Sequence, residues 1–393
     1  MAPFPFLQFR KPKETPLPPP PRSVYTRTQA ESILFRNRYP LLPLSAKTDQ
    51  RYIIAADINP IYSGLGCMIR TLAPCWAYAV ETKRTLVIDW RGNPYTRGDP
   101  SHNLFPSLFE PVTKEQAGIP VIADQTVDTV RFPQPLLTTS ATMELEDGSI
   151  ARMPNGGLDH DALAAVIANC IDCGCPTVLP SLPSVFRITR NWVVPAKIRL
   201  TDEALSRCYR MLRPKPIWRN QAGDFHRDHM DGRPVIGLHI RHGNGEGDFR
   251  AHFRQREISD FEVFMDRVAR VVERYGRRRF GENYTVFVAT DSDLVIRFLR
   301  GRLPRLITRP VWRPEDGEGI DFDHVYRDGT ERGIRAAGDA LVDMLLLAKC
   351  DAVMITRFTS FAYHVRYTLE QPDAEFFDDR QFSELAEQLE STS

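Results

Sequence analysis

The sequence predicts an α/β protein built from two successive parallel-sheet halves. Short apolar runs that end on polar residues alternate with longer stretches of helical periodicity, the pattern of strands joined by crossover helices. This series occurs once around residues 51–91 and again between 235 and 356. The chain has 393 residues, 42% of them hydrophobic and 26% charged, which suits a soluble globular protein with room for two cores.

Taken in order, residues 1–50 read as a tail. Pro16 and the run Pro18–Pro21, beside Lys11, Lys13 and Arg22, favour extended, poorly packed chain. Its expected role is a linker, with weak partner contacts at most. A first Rossmann-like domain is expected over 51–215. It opens with a strand at Arg51–Ala56, a Ser63-Gly64-Leu65-Gly66 loop, a helix from Cys67 to Val80, and a buried strand at Thr85–Arg91. Residues 125–190 are rich in Pro and Gly, with one helix expected at Asp161–Cys170. A second Rossmann-like domain is expected over 216–375. Its strands are Val235–Ile240, Thr285–Thr290 and Ala352–Thr356, and its helices Phe261–Tyr275, Leu294–Leu299 and Arg335–Cys350. Two such halves suggest a cleft between them, and residues 376–393 read as a short packed segment and a frayed C-terminal tail.

Composition excludes several classes. A net charge of +1 gives no global case for nucleic-acid binding, and Arg277-Arg278-Arg279 reads as a solvated helix end. No run approaches the roughly 18–20 apolar residues of a membrane span, so no stable membrane insertion is expected. The proline-broken N-terminus lacks a signal-peptide core, which makes a cytoplasmic location the expectation. Seven cysteines do not form a disulfide framework. Cys170, Cys173 and Cys175, with Cys208 or His160 as a fourth ligand, could hold zinc; free thiols are the preferred reading.

Three strand ends carry the chemistry. The first is His239-Ile240-Arg241-His242-Gly243-Asn244-Gly245-Glu246. In an open α/β sheet the carboxyl ends of strands face the ligand. An arginine fork there suits a phosphate, and the glycines allow close backbone approach. The second is Asp291-Ser292-Asp293, after an apolar strand. Ser292 is placed to cap the next helix. The letters D-x-D also spell a metal–diphosphate motif, but Asp293 is favourable in a helix's first turn without any metal. The third is the helix from Arg335, apolar on nearly every face, with Asp339 and Asp343 one turn apart on one side. A buried carboxylate needs a partner. Guanine, whose N1–H and exocyclic amine are adjacent donors, would serve Asp343, as would an internal arginine; for Asp339 an internal partner is the better reading. Thr359 and Ser360 follow at a helix start, either as an anion site or as a plain cap.

Other readings of the same letters are weaker. Arg241-His242-Gly243 spells a histidine-phosphatase signature, yet it lies far into the chain and His364 is the only late partner. Gly64 and Gly66 fall short of a dinucleotide fingerprint, and are retained only as loop positions near a nucleotide donor.

These motifs, in this order, resemble the nodulation-type (nodulation protein Z-like) α-1,6-fucosyltransferases, relatives of the eukaryotic core α-1,6-fucosyltransferases. The likeness runs through Asp89-Trp90-Arg91, Asn103 to Pro111, His239 to Glu246, Phe287 to Ser292, and Ala340 to Phe361. It implies a GT-B glycosyltransferase fold, two Rossmann-like domains facing a cleft, with the acceptor on the N-terminal side. It also implies GDP-β-L-fucose as donor, inversion at the anomeric carbon, an oligosaccharide acceptor, and no metal or other cofactor. By position, Arg241 and Ser360 would hold the diphosphate, with Gly243, Asn244, Gly245, Thr359 and Asp291 around it, and His239 and Asp343 would read guanine. His242 stands where the core branch has a second arginine. Glu246 or Asp248 would take the acceptor proton, Glu246 being preferred. The alternatives are a catalytically inert GDP-sugar-binding or interaction protein, or a fucosyltransferase acting on a different glycan or protein acceptor.

Overall fold

The computed structural model describes residues 52–56, 64–91, 93–96, 99, 101–124, 142–144, 150–152, 177–180, 201–242, 261–313, 330–356 and 359–391. In the first half, strand β1 (Tyr52–Ala56) leads to helix α1 (Leu65–Thr82) and strand β2 (Thr85–Asp89). The short helices α2 (Phe105–Leu108) and α3 (Lys114–Ala117) precede β3 (Val121–Ile122). A two-stranded antiparallel pair, β4 (Thr142–Glu144) and β5 (Ile150–Arg152), is followed by β6 (Thr177–Pro180). β3, β2, β1 and β6 form one parallel sheet in that order.

Helices α4 (Asp202–Met211) and α5 (Pro216–His229) lead into the second half. There follow β7 (Val235–Ile240), α6 (Phe261–Phe280), β8 (Thr285–Thr290), α7 (Asp293–Arg300) and β9 (Leu306–Ile307). Then come α8 (Thr330–Ala348), β10 (Ala352–Ile355), α9 (Ser360–Tyr363), β11 (Glu375–Phe377) and α10 (Asp379–Ser391). The second sheet is parallel, in the order β11-β10-β7-β8-β9. All six residues of both β7 and β8 are buried, as strands covered on both faces require.

The expected mixed α/β class with parallel sheets is observed. Three local expectations are corrected. The C-terminal segment is no frayed tail: β11 pairs with β10, and Phe382, Ala386 and Leu389 of α10 are buried on one side of that helix. Ser292 holds the N-cap position of α7 but its side chain makes no cap bond. Helix α8 begins five residues before the expected Arg335, because packing overrides the poor helix propensity of its glycines.

Those glycines join the two halves. The larger buried cluster runs from Leu72 and Trp90 through Trp218 to Leu341 and Leu347, so its residues come from both sheets' helices. A Cβ added at Gly333 would lie 2.0 Å from the Tyr95 carbonyl oxygen, and one at Gly338 2.2 Å from the Trp218 ring. Overpacking of this kind typically costs about 1–3 kcal/mol. Gly333→Ala is expected to lower the unfolding temperature more than Gly338→Ala, since it meets backbone and the latter a side chain. Thermal scans of the two variants check the ordering.

Among the described residues no helix is long and apolar enough to cross a membrane.

Candidate active site

Register assembles the site. His239 pairs with Ala289 on one side and Ile355 on the other, and Ile240 with Thr290. The carboxyl ends of β7, β8 and β10 are therefore level, and the residues just beyond them share one edge.

Arg241 is the first residue past β7 and Asp291 the first past β8. Arg241 Nη1 donates to Asp291 Oδ2, and the His242 backbone N–H donates to Asp291 Oδ1 at 2.8 Å. One carboxylate thus holds both the Arg241 guanidinium and the backbone of His242 just past β7. The Arg241 side chain keeps 31% of its surface exposed, against 9% for Asp291. Arg241 is thus a partly exposed cation anchored to a buried carboxylate. The His242 ring packs edge-on against Phe261, 5.1 Å between centroids.

His239 is buried and stacks on Phe361, 4.7 Å apart and 15° from parallel. Its Nδ1 lies 3.0 Å from the Ala289 carbonyl oxygen. A carbonyl only accepts, so Nδ1 carries the proton and Nε2 is left as an acceptor. Nε2 is buried and has no partner among the described residues. Burial is the main cause pushing the imidazole down to about 4, with Asp291 and the Ala289 bond opposing it, so the ring is neutral at physiological pH. The stack also brings the start of α9 to the end of β7.

Asp343 faces an internal arginine. Arg309 Nη1 donates to Asp343 Oδ1 at 3.1 Å and to the Asp339 carbonyl oxygen at 2.9 Å, while its Nη2 donates to Asp339 Oδ1 at 2.7 Å. The Arg309 bond to Asp343 is made through Oδ1, and no hydrogen bond to Oδ2 is found among the described residues. Burial raises the Asp343 carboxyl to about 6 despite Arg309. For Asp339 the expected internal partner is found. For Asp343 the arginine occupies one oxygen.

Arg313 ties this cluster to the strand ends. Its Nε donates to the Thr290 carbonyl oxygen at 3.0 Å, and its Nη2 to Thr308 Oγ1 at 2.9 Å and the Arg309 carbonyl oxygen at 3.2 Å. It also pairs with Asp293 at 3.4 Å. Both acids of the D-x-D letters are thereby turned to arginines, and no group of three metal-ligating side chains occurs among the described residues. Thr359 acts as the cap of α9, accepting from the Phe361 N–H at 3.2 Å, and Ser360 opens that helix. Gly64 is the N-cap of α1 and Gly66 lies in its first turn; the Leu65 N–H donates to the Tyr95 hydroxyl. His364, the late histidine of the phosphatase reading, is buried against Tyr209 of α4. Gly243, Asn244, Gly245, Glu246, Asp248, and the cysteines at 170, 173 and 175 lie outside the described residues.

Sequence reasoning missed Arg309, Arg313 and the role of Phe361. The signal for an arginine was indirect: two carboxylates one turn apart on an apolar helix demand a buried cation, but nothing local says which.

Residues 51–373 match the family model of nodulation protein Z. Nodulation protein Z of Bradyrhizobium diazoefficiens is 28% identical over 326 residues, covering 82% of this chain and 80% of the relative. That of Sinorhizobium fredii is 30% identical over 311 residues, covering 78% and 87%. An α-(1,6)-fucosyltransferase of Drosophila melanogaster is 24% identical over 319 residues, but only 43% of it is covered. A crystal structure of a nodulation protein Z α-1,6-fucosyltransferase soaked with GDP-fucose shares the fold, with a TM-score of 0.58 at 24% identity over 85% of this chain and 97% of that one.

Proposed function

The chain belongs to the nodulation protein Z family, and on that premise we propose that it transfers L-fucose from GDP-β-L-fucose to an oligosaccharide. The fold on this reading is GT-B, with the donor at the carboxyl edge of the second sheet. The acceptor is the 6-OH of an N-acetylglucosamine residue in a chitooligosaccharide-like chain, and the anomeric carbon is inverted.

The observation that carries the reading is the partly exposed Arg241 fork braced by Asp291 at the strand ends. Two further buried groups can accept hydrogen bonds, His239 Nε2 and the Asp343 carboxylate. The fork suits a diphosphate; the Asp343 carboxylate suits guanine's adjacent donors, and His239 Nε2 is a further acceptor at the strand ends. In the reaction the acceptor oxygen bonds to fucose C1 as the C1–O bond to the β-phosphate breaks, and GDP departs. Negative charge grows on the β-phosphate, and a preorganised donor aimed at it is worth most in the transition state. Arg241 fills that role, with Ser360, Thr359 and the Gly243–Gly245 loop completing the cradle. Glu246, or failing it Asp248, takes the acceptor proton. No metal is needed on this scheme, because arginines already neutralise Asp291 and Asp293.

The test is incubation with GDP-fucose and chitooligosaccharides, following GDP release and acceptor mass, with and without EDTA. Acceptor-dependent release, a one-fucose mass gain and indifference to EDTA are expected. GDP binding without acceptor-dependent release would instead indicate an inert GDP-sugar-binding protein. Loss of turnover in EDTA would overturn the metal-free scheme.

A further inference from the structure

We propose that Arg309 is a positioning residue for base recognition: it fixes the Asp343 carboxylate in one orientation, as an ionised acceptor, and so sets the preference for guanine. The inference rests on the reading of Asp343 as the guanine acceptor and adds a residue to it.

The geometry is that of a clamp. Arg309 follows β9, and its guanidinium reaches across to α8. There it holds three oxygens: the Asp339 carbonyl at 2.9 Å, Asp339 Oδ1 at 2.7 Å and Asp343 Oδ1 at 3.1 Å. The side chains of Arg309 and Asp343 are each 10% exposed. A planar fork with contacts at two points on one helix cannot rotate, and a carboxylate bonded through one oxygen presents the other in a fixed direction. Asp343 Oδ2 has no hydrogen bond among the described residues. The Arg309 backbone is itself held, because Arg313 donates to its carbonyl oxygen and to that of Thr290 at the end of β8. A hydrogen-bonded chain therefore runs from the β8 end to the carboxylate.

Charge follows the same contacts. The groups that set the ionisation of Asp343 are Arg309 and Arg313, which favour the carboxylate, and Asp339, which opposes it. Burial opposes it most. Without Arg309 the acid would take up a proton more readily and present a hydroxyl to guanine's N1–H, donor against donor. Each carboxylate oxygen can accept two hydrogen bonds, so Oδ2 and the lone pair of Oδ1 not used by Arg309 can take both guanine donors, whereas hypoxanthine, which lacks the exocyclic amine, offers one.

The experiment measures dissociation constants for GDP and inosine diphosphate between pH 5.5 and 8, with unfolding temperature as the control for folding. The wild-type protein is expected to prefer GDP about tenfold or more, the effect of one charge-assisted hydrogen bond. In Arg309→Met that preference collapses towards unity, and the pH at which GDP binding is half lost rises. Arg309→Lys supplies charge without the fork, so it recovers the pH midpoint but not the preference. A merely structural Arg309 would lower the unfolding temperature of both variants and leave preference and midpoint where they were, which overturns the inference. If Arg309→Met does not fold, Arg309→Lys decides: an unchanged preference overturns it. Asp343→Asn separates the two layers. If that variant keeps the GDP preference, the guanine reading of Asp343 fails. If it loses the preference while the Arg309 variants keep it, only the clamp is wrong.

Discussion

Arg241→Ala is expected to lower the turnover of fucose transfer by about a hundredfold to a thousandfold, the usual cost of removing one preorganised donor from a developing oxyanion. The side chain stands past the end of β7, partly exposed and outside the buried cores, so the loss should not come through unfolding. Asp291 would lose its cation but keep the His242 N–H as a donor, limiting the stability penalty to a few degrees in the unfolding temperature. Arg241→Lys refines the assignment. It retains the charge but cannot make two parallel contacts or hold Asp291 through the same fork, so intermediate turnover is expected. The measurement is kcat from GDP release on a saturating chitooligosaccharide, beside a thermal scan. A folded Arg241→Ala protein with near-normal kcat would refute the leaving-group assignment.

The parts of this site that are legible in the sequence are those fixed by short-range pattern. β7 and β8 are seen with their full spans because both are buried along their whole length, and a run such as Val286-Phe287-Val288-Ala289 has no other stable place. Arg241 and Asp291 are legible as strand-end residues for the same reason. Their mutual contact is not, since it depends on the parallel register of β7 on β8. The Arg277–Arg279 run lies in the exposed last turn of α6, as its composition suggests. Helix α8 starts earlier than periodicity indicates: its added first turn contains Gly333, a poor helix former that leaves no room for a Cβ beside Tyr95, a tertiary constraint that no local rule contains. Arg309 lies 30 and 34 residues from its two acids and reaches them only once β9 has paired with β8. Helix α10 did carry a local signal, in Phe382, Ala386 and Leu389, but three apolar positions among charges are easily read as a frayed end.

The second large effect concerns pH, and here binding and stability move in opposite directions. Burial raises the Asp343 carboxyl from 3.8 to about 6. For donor binding the ionised form is needed, because guanine offers two donors and requires two acceptors. GDP affinity should therefore be full above neutral pH and fall roughly tenfold per unit as pH drops below about 6, the slope of one required deprotonation. For the unliganded fold the sign reverses. A carboxyl with a raised value binds a proton more tightly folded than unfolded, so this group's contribution to stability is present at low pH and is lost as pH rises through 6. Asp343→Asn removes both dependences. At pH 8 it should weaken GDP by about a hundredfold or more, since two charge-assisted hydrogen bonds at about 1.5–3 kcal/mol each are replaced by one acceptor and one opposed donor. Its GDP affinity should then lose the carboxyl's dependence and keep only the change owed to the β-phosphate's own second ionisation at about 6, and its unliganded unfolding temperature should lose the decline that the wild-type protein shows as pH rises from about 4 to about 6. Calorimetric titration of GDP between about pH 5.5 and 8, and thermal scans between about pH 4 and 8, check the two signs separately. A wild-type affinity that stays constant down to pH 5.5 would mean that Asp343 does not meet the base, because a buried carboxyl at about 6 cannot accept from guanine and remain indifferent to its own proton. On this reading the raised ionisation of Asp343 is a cost to the empty protein that guanine's donors would offset on binding, and it falls on an acid with one ion-pair partner, Arg309, among the described residues.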